Sequence, residues 1–550
     1  MYDIRKTICY LSLLSSLQVV TTGTTLTFAQ QQDPIWDNTA KTAWPASFEQ
    51  IMIPSSQDAS QQGAYFYATT QKRPQPLVVS LHTWSGDYQQ KDPLSKEILA
   101  RDWNYIHPNF RGANRTPEAM GSDLVLSDIR DAIHYALQHG NVNPSEIHII
   151  GVSGGAYATL LAYMQLDYPV KSFSAWAPIS DIEAWYWESL GRKQKYAQDI
   201  EQALGGSFDA VEARKRSPLF QEVLKEQRKD AQLYIYEGIH DGYQGSVPIT
   251  HAMEMYNRLV AEEKYGETAL DSVAQLAKQD EDLVSEQEMI ELLTKRMLPP
   301  EEINDKELFG RKVYVAKQHK GVHLTIFEGG HEQLPQALSY LPVKQQQDQR
   351  PYHILTIGDS NAAIQGGWVD QLRTCLPKAN VLNISQSGRT IGFDNGGREQ
   401  LNALKNVGHY LAKAAAESKG NAYDAIIVCL GTNDTKSEFA NRQDEVLPHF
   451  EQLLQEIRSS KLATKHTRLI YVSPPPIRDQ DVEAKYVGGN QRLATLLPKW
   501  KAKANALGFE FVDVYHPLLG VSDYYAQDGV HMAAAGQAIV ANKIMAVLNK

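Results

Sequence analysis

The stretch from Ile147 to Ala162 constrains the fold of the first half of this chain more than any other. Ile147-His148-Ile149-Ile150 is a β-branched apolar run that reads as a buried strand. Gly151-Val152-Ser153-Gly154-Gly155 then permits a very sharp turn, and Ala156 to Ala162 reads as a helix. Such a turn makes a serine hydroxyl project from a sheet, provided the neighbouring backbone can pass close to Gly151 and Gly155. The first N–H groups of the new helix, that of Gly154 among them, face the same point and favour a developing negative charge there.

A chain of 550 residues exceeds one ordinary core, and large α/β units bring the expected count to two. With 43% hydrophobic and 21% charged residues it reads as globular, which disfavours disordered and membrane-embedded classes. A net charge of −10 without a basic stripe argues against nucleic acid as a partner. Arg5 and Lys6 precede an apolar, Ser- and Thr-interrupted run to about Ala29, which reads as a secretory signal over residues 1–29. The expectation is a secreted or periplasmic protein with no stable membrane insertion once the signal is removed. Beyond Cys9 only Cys375 and Cys429 remain; two thiols are no disulfide framework, and Cys429 reads as buried.

Polar and apolar residues alternate up to about Gln75, as in an opening antiparallel hairpin. Leu77 to Leu81 is a buried strand running into His82-Thr83-Trp84-Ser85-Gly86, a loop at a strand's C-terminal end, where α/β sheets place ligand sites. The backbone of Trp84, or else of Thr83, is the expected second oxyanion donor beside Gly154. A helix is expected from about Leu124 to His139. Residues 181–227 are charged, helical and aromatic-rich, with Trp185 and Trp187 as candidates for stacking on sugar rings. Asp241 follows the strand at Gln232–Tyr236. A helix opened by the capping box Ser285 and Glu288 comes next, and His331 follows the strand at His323–Phe327. The order Ser153, Asp241, His331 suits a nucleophile, an orienting carboxylate and a general base. Asp181 and His240 are the rivals for the last two roles.

This half resembles the α/β-hydrolase superfamily, within it the prolyl-oligopeptidase-like and esterase-like members, over residues 35–340. The resemblance rests on His107-Pro108-Asn109-Phe110-Arg111-Gly112, the Ser153 turn, and the Asp241 and His331 segments. It implies the fold and serine chemistry without choosing between peptide and ester.

Residues 341–350 are glutamine-rich and polar and read as a linker. Four signals at the ends of expected strands then follow: Gly358-Asp359-Ser360, Gly388-Arg389-Thr390, Gly431-Thr432-Asn433-Asp434 and Asp528-Gly529-Val530-His531. Ser360 is the candidate nucleophile and His531 the base, with Asp528 three residues before it. The N–H groups of Ser360 and Gly388 and the Asn433 amide are the candidate oxyanion donors. As a set these blocks resemble the SGNH or GDSL-type hydrolases over residues 351–550. That resemblance implies a flavodoxin-like domain with esterase activity, often sugar deacetylation. Asn361 stands where that family frequently has Leu.

The expected architecture is therefore α/β throughout: two three-layer α/β/α domains, an α/β-hydrolase domain followed by a flavodoxin-like SGNH hydrolase domain. No metal-ligand cluster or phosphate-cradling loop is visible, so neither metal nor cofactor is expected. The expected substrate is an ester-substituted polysaccharide or oligosaccharide, attacked at one Ser-His-Asp site per domain. The alternatives are a peptidase in the first half, or one half serving only to bind glycan.

Overall fold

Alternation of strand and helix signals along the chain resolves into two separate sheets. The computed structural model describes residues 39, 41, 43–297, 306–345 and 347–549, all within one compact unit. The expected signal at 1–29 lies outside the described residues.

The first sheet contains β1 (Glu49–Pro54), β2 (Gln61–Tyr67), β3 (Gln75–Leu81), β4 (Asn104–Pro108) and β5 (Val142–Val152). It continues with β6 (Ser172–Trp176), β7 (Gln232–Gly238), β8 (Glu307–Leu308), β9 (Arg311–His319) and β10 (Val322–Phe327). The spatial order is β1-β2-β4-β3-β5-β6-β7-β10-β9-β8. Pairing is parallel from β4 through β10 and antiparallel at both edges. Strands β3, β4 and β6 are buried along their whole length, as strands covered on both faces are, and β3 reads as a nearly continuous apolar run for that reason. The opening hairpin forms as expected, with Glu49 opposite Phe66. The sequence reading missed β9, whose charged residues break the apolar alternation of an edge strand.

The second sheet contains β11 (His353–Gly358), β12 (Asn380–Asn383), β13 (Ala425–Cys429), β14 (Arg468–Val472) and β15 (Glu510–Val512). Its order is β12-β11-β13-β14-β15, all parallel, the doubly wound arrangement expected of a flavodoxin-like domain. Strand order reverses at β11, and Ser360 sits just past the C-terminal end of that strand.

Helices cover both sheets. Gly154–Gln165 is buried at nearly every position, which its small and apolar residues allow. Asp123–His139 falls close to the expected span, Ala534–Leu548 packs as a further helix of the second half, and the capping box of Ser285 with Glu288 is formed. Among its described residues segment 341–350 has neither helix nor strand, but it is bonded to the second half. Asp348 N–H donates to the Cys375 carbonyl, and Arg350 donates to Asn549. Cys375 and Cys429 are buried free thiols. Among the described residues no helix is long and apolar enough to cross a membrane.

The halves meet through polar groups as well as apolar ones. Helix Leu94–Arg101 brings Glu97 and Arg101 against Tyr525 of the second half, and Gln336 donates to the Tyr524 carbonyl.

Candidate active sites

At the end of β5 the chain reverses through Ser153, whose backbone is held at φ 57° and ψ −121°. That conformation is costly for a residue with a Cβ, and here the packing around it enforces it. A Cβ on Gly151 would lie 2.4 Å from the Gly155 backbone, and one on Gly155 would lie 2.2 Å from the Leu81 carbonyl oxygen. Gly154 is equally confined: its Cβ would fall 2.3 Å from both N and Cα of Trp84. The backbones of Gly154 and Trp84 thus stand side by side at the serine, with Gly154 in the first helical turn, where N–H groups have no intrahelical acceptor. The Thr83 N–H, the rival donor, is already given to Gln90 Oε1 at 3.0 Å.

The loops after β7 and β10 bring Asp241 and His331 together, with 2.6 Å between His331 Nδ1 and Asp241 Oδ2. Asp241 is fully buried, and its Oδ1 accepts from Gly242 N at 2.8 Å and Val247 N at 3.1 Å. Arg296 donates to the Asp241 carbonyl at 2.8 Å. Behind Asp241, burial and the Asp241 charge push the Glu237 carboxyl well above the usual carboxylate range. Glu237 therefore stays protonated. On its other side the imidazole Nε2 lies 3.3 Å from Ser246 Oγ.

The rivals serve elsewhere. Asp181 caps the helix Ile182–Gly191 by accepting from the N–H groups of Glu183 and Ala184, and His240 bonds Glu328 at 2.7 Å.

Trp185 needs correction as a residue for stacking on sugar. It is 0% exposed, its ring packed between Trp84 and Tyr196, and its indole N–H donates to the Ser246 carbonyl at 3.0 Å. It holds the Ser246 loop and has no open face. Trp187 is 55% exposed and packs edgewise on Tyr186 and Phe208.

In the second half the serine, histidine and aspartate are joined in one line. Ser360 Oγ donates to His531 Nε2 at 2.8 Å, and His531 Nδ1 lies 2.5 Å from Asp528 Oδ2. Asp528 Oδ1 accepts from the backbone N–H of Val530 and of His531. Partial burial alone raises the Asp528 carboxyl, but the bonds from His531 and those backbone groups outweigh it and hold it below its usual range.

The supporting residues here were missed by sequence reasoning. Asn361 is fully buried; its amide donates to the Val530 carbonyl at 3.3 Å, and its Oδ1 accepts from Met532 N at 3.1 Å and Gln537 Nε2 at 2.7 Å. It ties the serine turn to both residues flanking His531. The signal was the departure from the family's common Leu.

Gly388 has φ 81°, and Asn395 Nδ2 donates to its carbonyl. Asn433 donates to the Arg389 carbonyl at 3.0 Å and accepts from Tyr486 Oη at 2.9 Å, which fixes the orientation of its amide. Lys436, buried, donates to Asn395 Oδ1 at 2.9 Å. No group of His, Cys, Asp and Glu suited to a metal ion occurs among the described residues.

Fold and sequence together define a chain of two hydrolase domains, an α/β-hydrolase followed by a GDSL-type hydrolase. Residues 97–275 match the Prolyl oligopeptidase family, and residues 356–539 match the GDSL-like Lipase/Acylhydrolase family. Dipeptidyl peptidase family member 6 of Caenorhabditis elegans is 28% identical over 169 residues, 27% of this chain, and the chain spans only 22% of that relative's length. A carbohydrate acetylesterase family member from Sinorhizobium meliloti covers 36% of this chain with 97% of its own at 22% identity and a TM-score of 0.30. An acylaminoacyl peptidase from Pyrococcus horikoshii covers 38% of this chain with 35% of its own at 17% identity and a TM-score of 0.31.

Proposed function

We propose that this chain is a secreted or periplasmic two-site serine esterase that removes acetyl or similar ester groups from a polysaccharide. The observation that carries this reading is the continuous Ser360–His531–Asp528 hydrogen-bond line in a half that matches an acylhydrolase family.

In the second half, His531 Nε2 takes the Ser360 proton as Oγ attacks the ester carbonyl, and Asp528 steadies the imidazolium that forms. The Ser360 and Gly388 N–H groups and the Asn433 amide stabilise the tetrahedral oxyanion. His531 returns the proton to the departing sugar alcohol. Water, activated by the same imidazole, then attacks the acyl-serine, releasing the acid and restoring Ser360. In the first half, Ser153, His331 and Asp241 take the corresponding roles, with Trp84 and Gly154 N–H as oxyanion donors. The test is identification of the acids and alcohols released from acetylated pectin and acetylated xylan by wild type, Ser153→Ala and Ser360→Ala. Loss of a different product in each variant supports two complementary esterases. The dual reading fails if Ser360→Ala abolishes all acid release and Ser153→Ala changes nothing, with feruloyl and methyl esters also supplied.

A second reading of the first half, as a peptidase, is favoured by its match to the Prolyl oligopeptidase family. Ser153-dependent cleavage of proline-containing peptides, without any Ser153-dependent ester product, establishes it.

A further inference from the structure

The sequence Asp394-Asn395-Gly396-Gly397-Arg398 forms a loop beside Gly388 that the catalytic reading leaves unused. Gly396 and Gly397 both have positive φ, 60° and 73°, and so turn the chain back on itself within two residues. Asn395 anchors the turn from below, bonded on one side to the Gly388 carbonyl and on the other to the Lys436 ammonium. The result is that exposed Arg398 lies over the candidate oxyanion glycine. Its Nη2 is 3.9 Å from the place a Cβ on Gly388 would occupy.

The charges around this point are unequally matched. The two acids nearest Arg398 in sequence, Asp394 and Glu399, both pair with Lys405, at 2.7 and 2.8 Å. Arg398 spends its Nε on the Asn395 carbonyl, and among the described residues no carboxylate forms an ion pair with its guanidinium. Lys436 is buried, and its ammonium bonds a neutral amide; no carboxylate pairs with it among the described residues. Lys485 is nearby but pairs with Glu483, and Glu438 is the remaining acid acting on Lys436 from a distance. Burial, then the charges of Lys485 and Arg398, hold Lys436 below the usual lysine range. A buried ammonium facing a like charge is an arrangement that an incoming anion relieves.

We propose that Arg398, presented by the Asp394–Arg398 loop and backed by Lys436, is an anion subsite beside Ser360. The second half then acts preferentially on esters whose sugar carries a carboxylate near the scissile bond. A guanidinium offers paired N–H donors in the fork that matches a carboxylate, and its exposed place beside the candidate oxyanion glycine brings those donors toward a charged group on the bound sugar. This inference rests on the esterase reading of the Ser360 site. A sulfate ester presents similar oxygens, and the experiment separates the two.

The probes are three matched acetates on one ring: O-acetylated methyl glucoside, its uronate with a carboxylate at C6, and its 6-sulfate. With Ser153→Ala as the background enzyme, kcat/KM for the uronate is expected to exceed that for the neutral sugar by at least about tenfold. The ratio should fall toward one in Arg398→Gln, chiefly through KM, and be partly restored in Arg398→Lys. Raising salt should lower it in the arginine enzyme, since the subsite is exposed. Equal rates on the uronate and the neutral sugar, with a ratio that Arg398→Gln does not move, overturn the subsite while leaving the esterase standing. A preference for the sulfate alone overturns the carboxylate assignment. If Ser360→Ala leaves the turnover of all three probes unchanged, the esterase reading itself has failed.

Discussion

Tyr525 Oη donates a hydrogen bond of 2.8 Å to Glu97 Oε2, from the second half of the chain to the first, in a place where both residues are buried. Arg101 Nη2 donates to the same hydroxyl at 2.8 Å and to Ser339 Oγ at 2.7 Å. Ser339 follows the His331 loop, and Tyr525 precedes the Asp528–His531 turn, which is bracketed by bonds from Gly529 N to the Ala526 carbonyl and from Ala533 N to the Tyr525 carbonyl. The segments that carry the two candidate bases are thus fastened to one buried ionic cluster. Tyr525→Phe removes one partner from a buried carboxylate and should destabilise the protein by about 1–3 kcal/mol. Urea denaturation measures that loss. Ser360-dependent turnover should fall in the same variant, because the turn bearing His531 loses its anchor; unchanged turnover would separate the cluster from the site.

Gly245 sits where the Asp241–His331 pair leaves no room for a methyl group. A Cβ there would lie 2.1 Å from Asp241 Oδ1 and 2.6 Å from His331 Cβ. Gly245→Ala is expected to force the imidazole out of line and cost Ser153-dependent turnover about 10²-fold, as displacements near 1 Å do. Kinetics on the Ser360 substrates in the same preparation provide the control, since the groups a Cβ on Gly245 would meet belong to the Asp241–His331 pair.

Asn433 offers a cleaner test of transition-state stabilisation, because Tyr486 and the Arg389 carbonyl orient its amide in advance. Asn433→Ala should lower kcat of the Ser360 reaction by about 10²–10³ with little change in KM. A rise in KM with kcat intact would show instead that the amide binds ground-state substrate.

Burial pushes the Asp434 carboxyl up to about 7, even though Ile391 and Gly392 N–H groups bond it, and the unfolded value is 3.8. With the folded value above the unfolded one, the stabilising contribution is fully present below about pH 4 and is lost as pH rises through 7. The urea midpoint of wild type relative to Asp434→Asn should therefore decline between pH 5 and pH 8. A constant difference over that range would show that the backbone bonds keep the group ionised in the fold.

What was legible in the sequence was whatever local pattern encodes. The Ser153 and Ser360 turns announce themselves because a buried strand, small residues and a helix start fall within a few positions. The chain order of Ser153, Asp241 and His331 follows the strands that carry them. Trp185 misled because an aromatic run does not say which ring faces inward; that is decided by Trp84 and Tyr196, both distant in sequence from each other. Gly245, Lys436 and the Tyr525–Glu97 bond were invisible for the same reason: each acquires meaning only from a partner brought near by the fold.

Asn361 is the position where the departure from the family pattern and the structure agree on a test. Its side chain bonds the backbone on both sides of His531, Val530 O and Met532 N, and takes Gln537 Nε2 as a third partner. Leu, frequent there in the resembling family, has similar volume but neither donor nor acceptor. Asn361→Leu would take the partner from the Met532 N–H and from the Val530 carbonyl in a buried place, at about 1–3 kcal/mol for each group, and leave Gln537 Nε2 only its bond to the Met532 carbonyl. The catalytic expectation is sharper than the energetic one. A His531 turn no longer fastened to the serine turn should lower kcat while leaving KM nearly unchanged. Asn361→Asp keeps the acceptor for Met532 N and Gln537 Nε2 but loses the donor to Val530, so it should recover part of the lost kcat. If Asn361→Leu loses stability yet keeps its full kcat, Asn361 is a core residue and the histidine is placed by Asp528 and its own backbone alone.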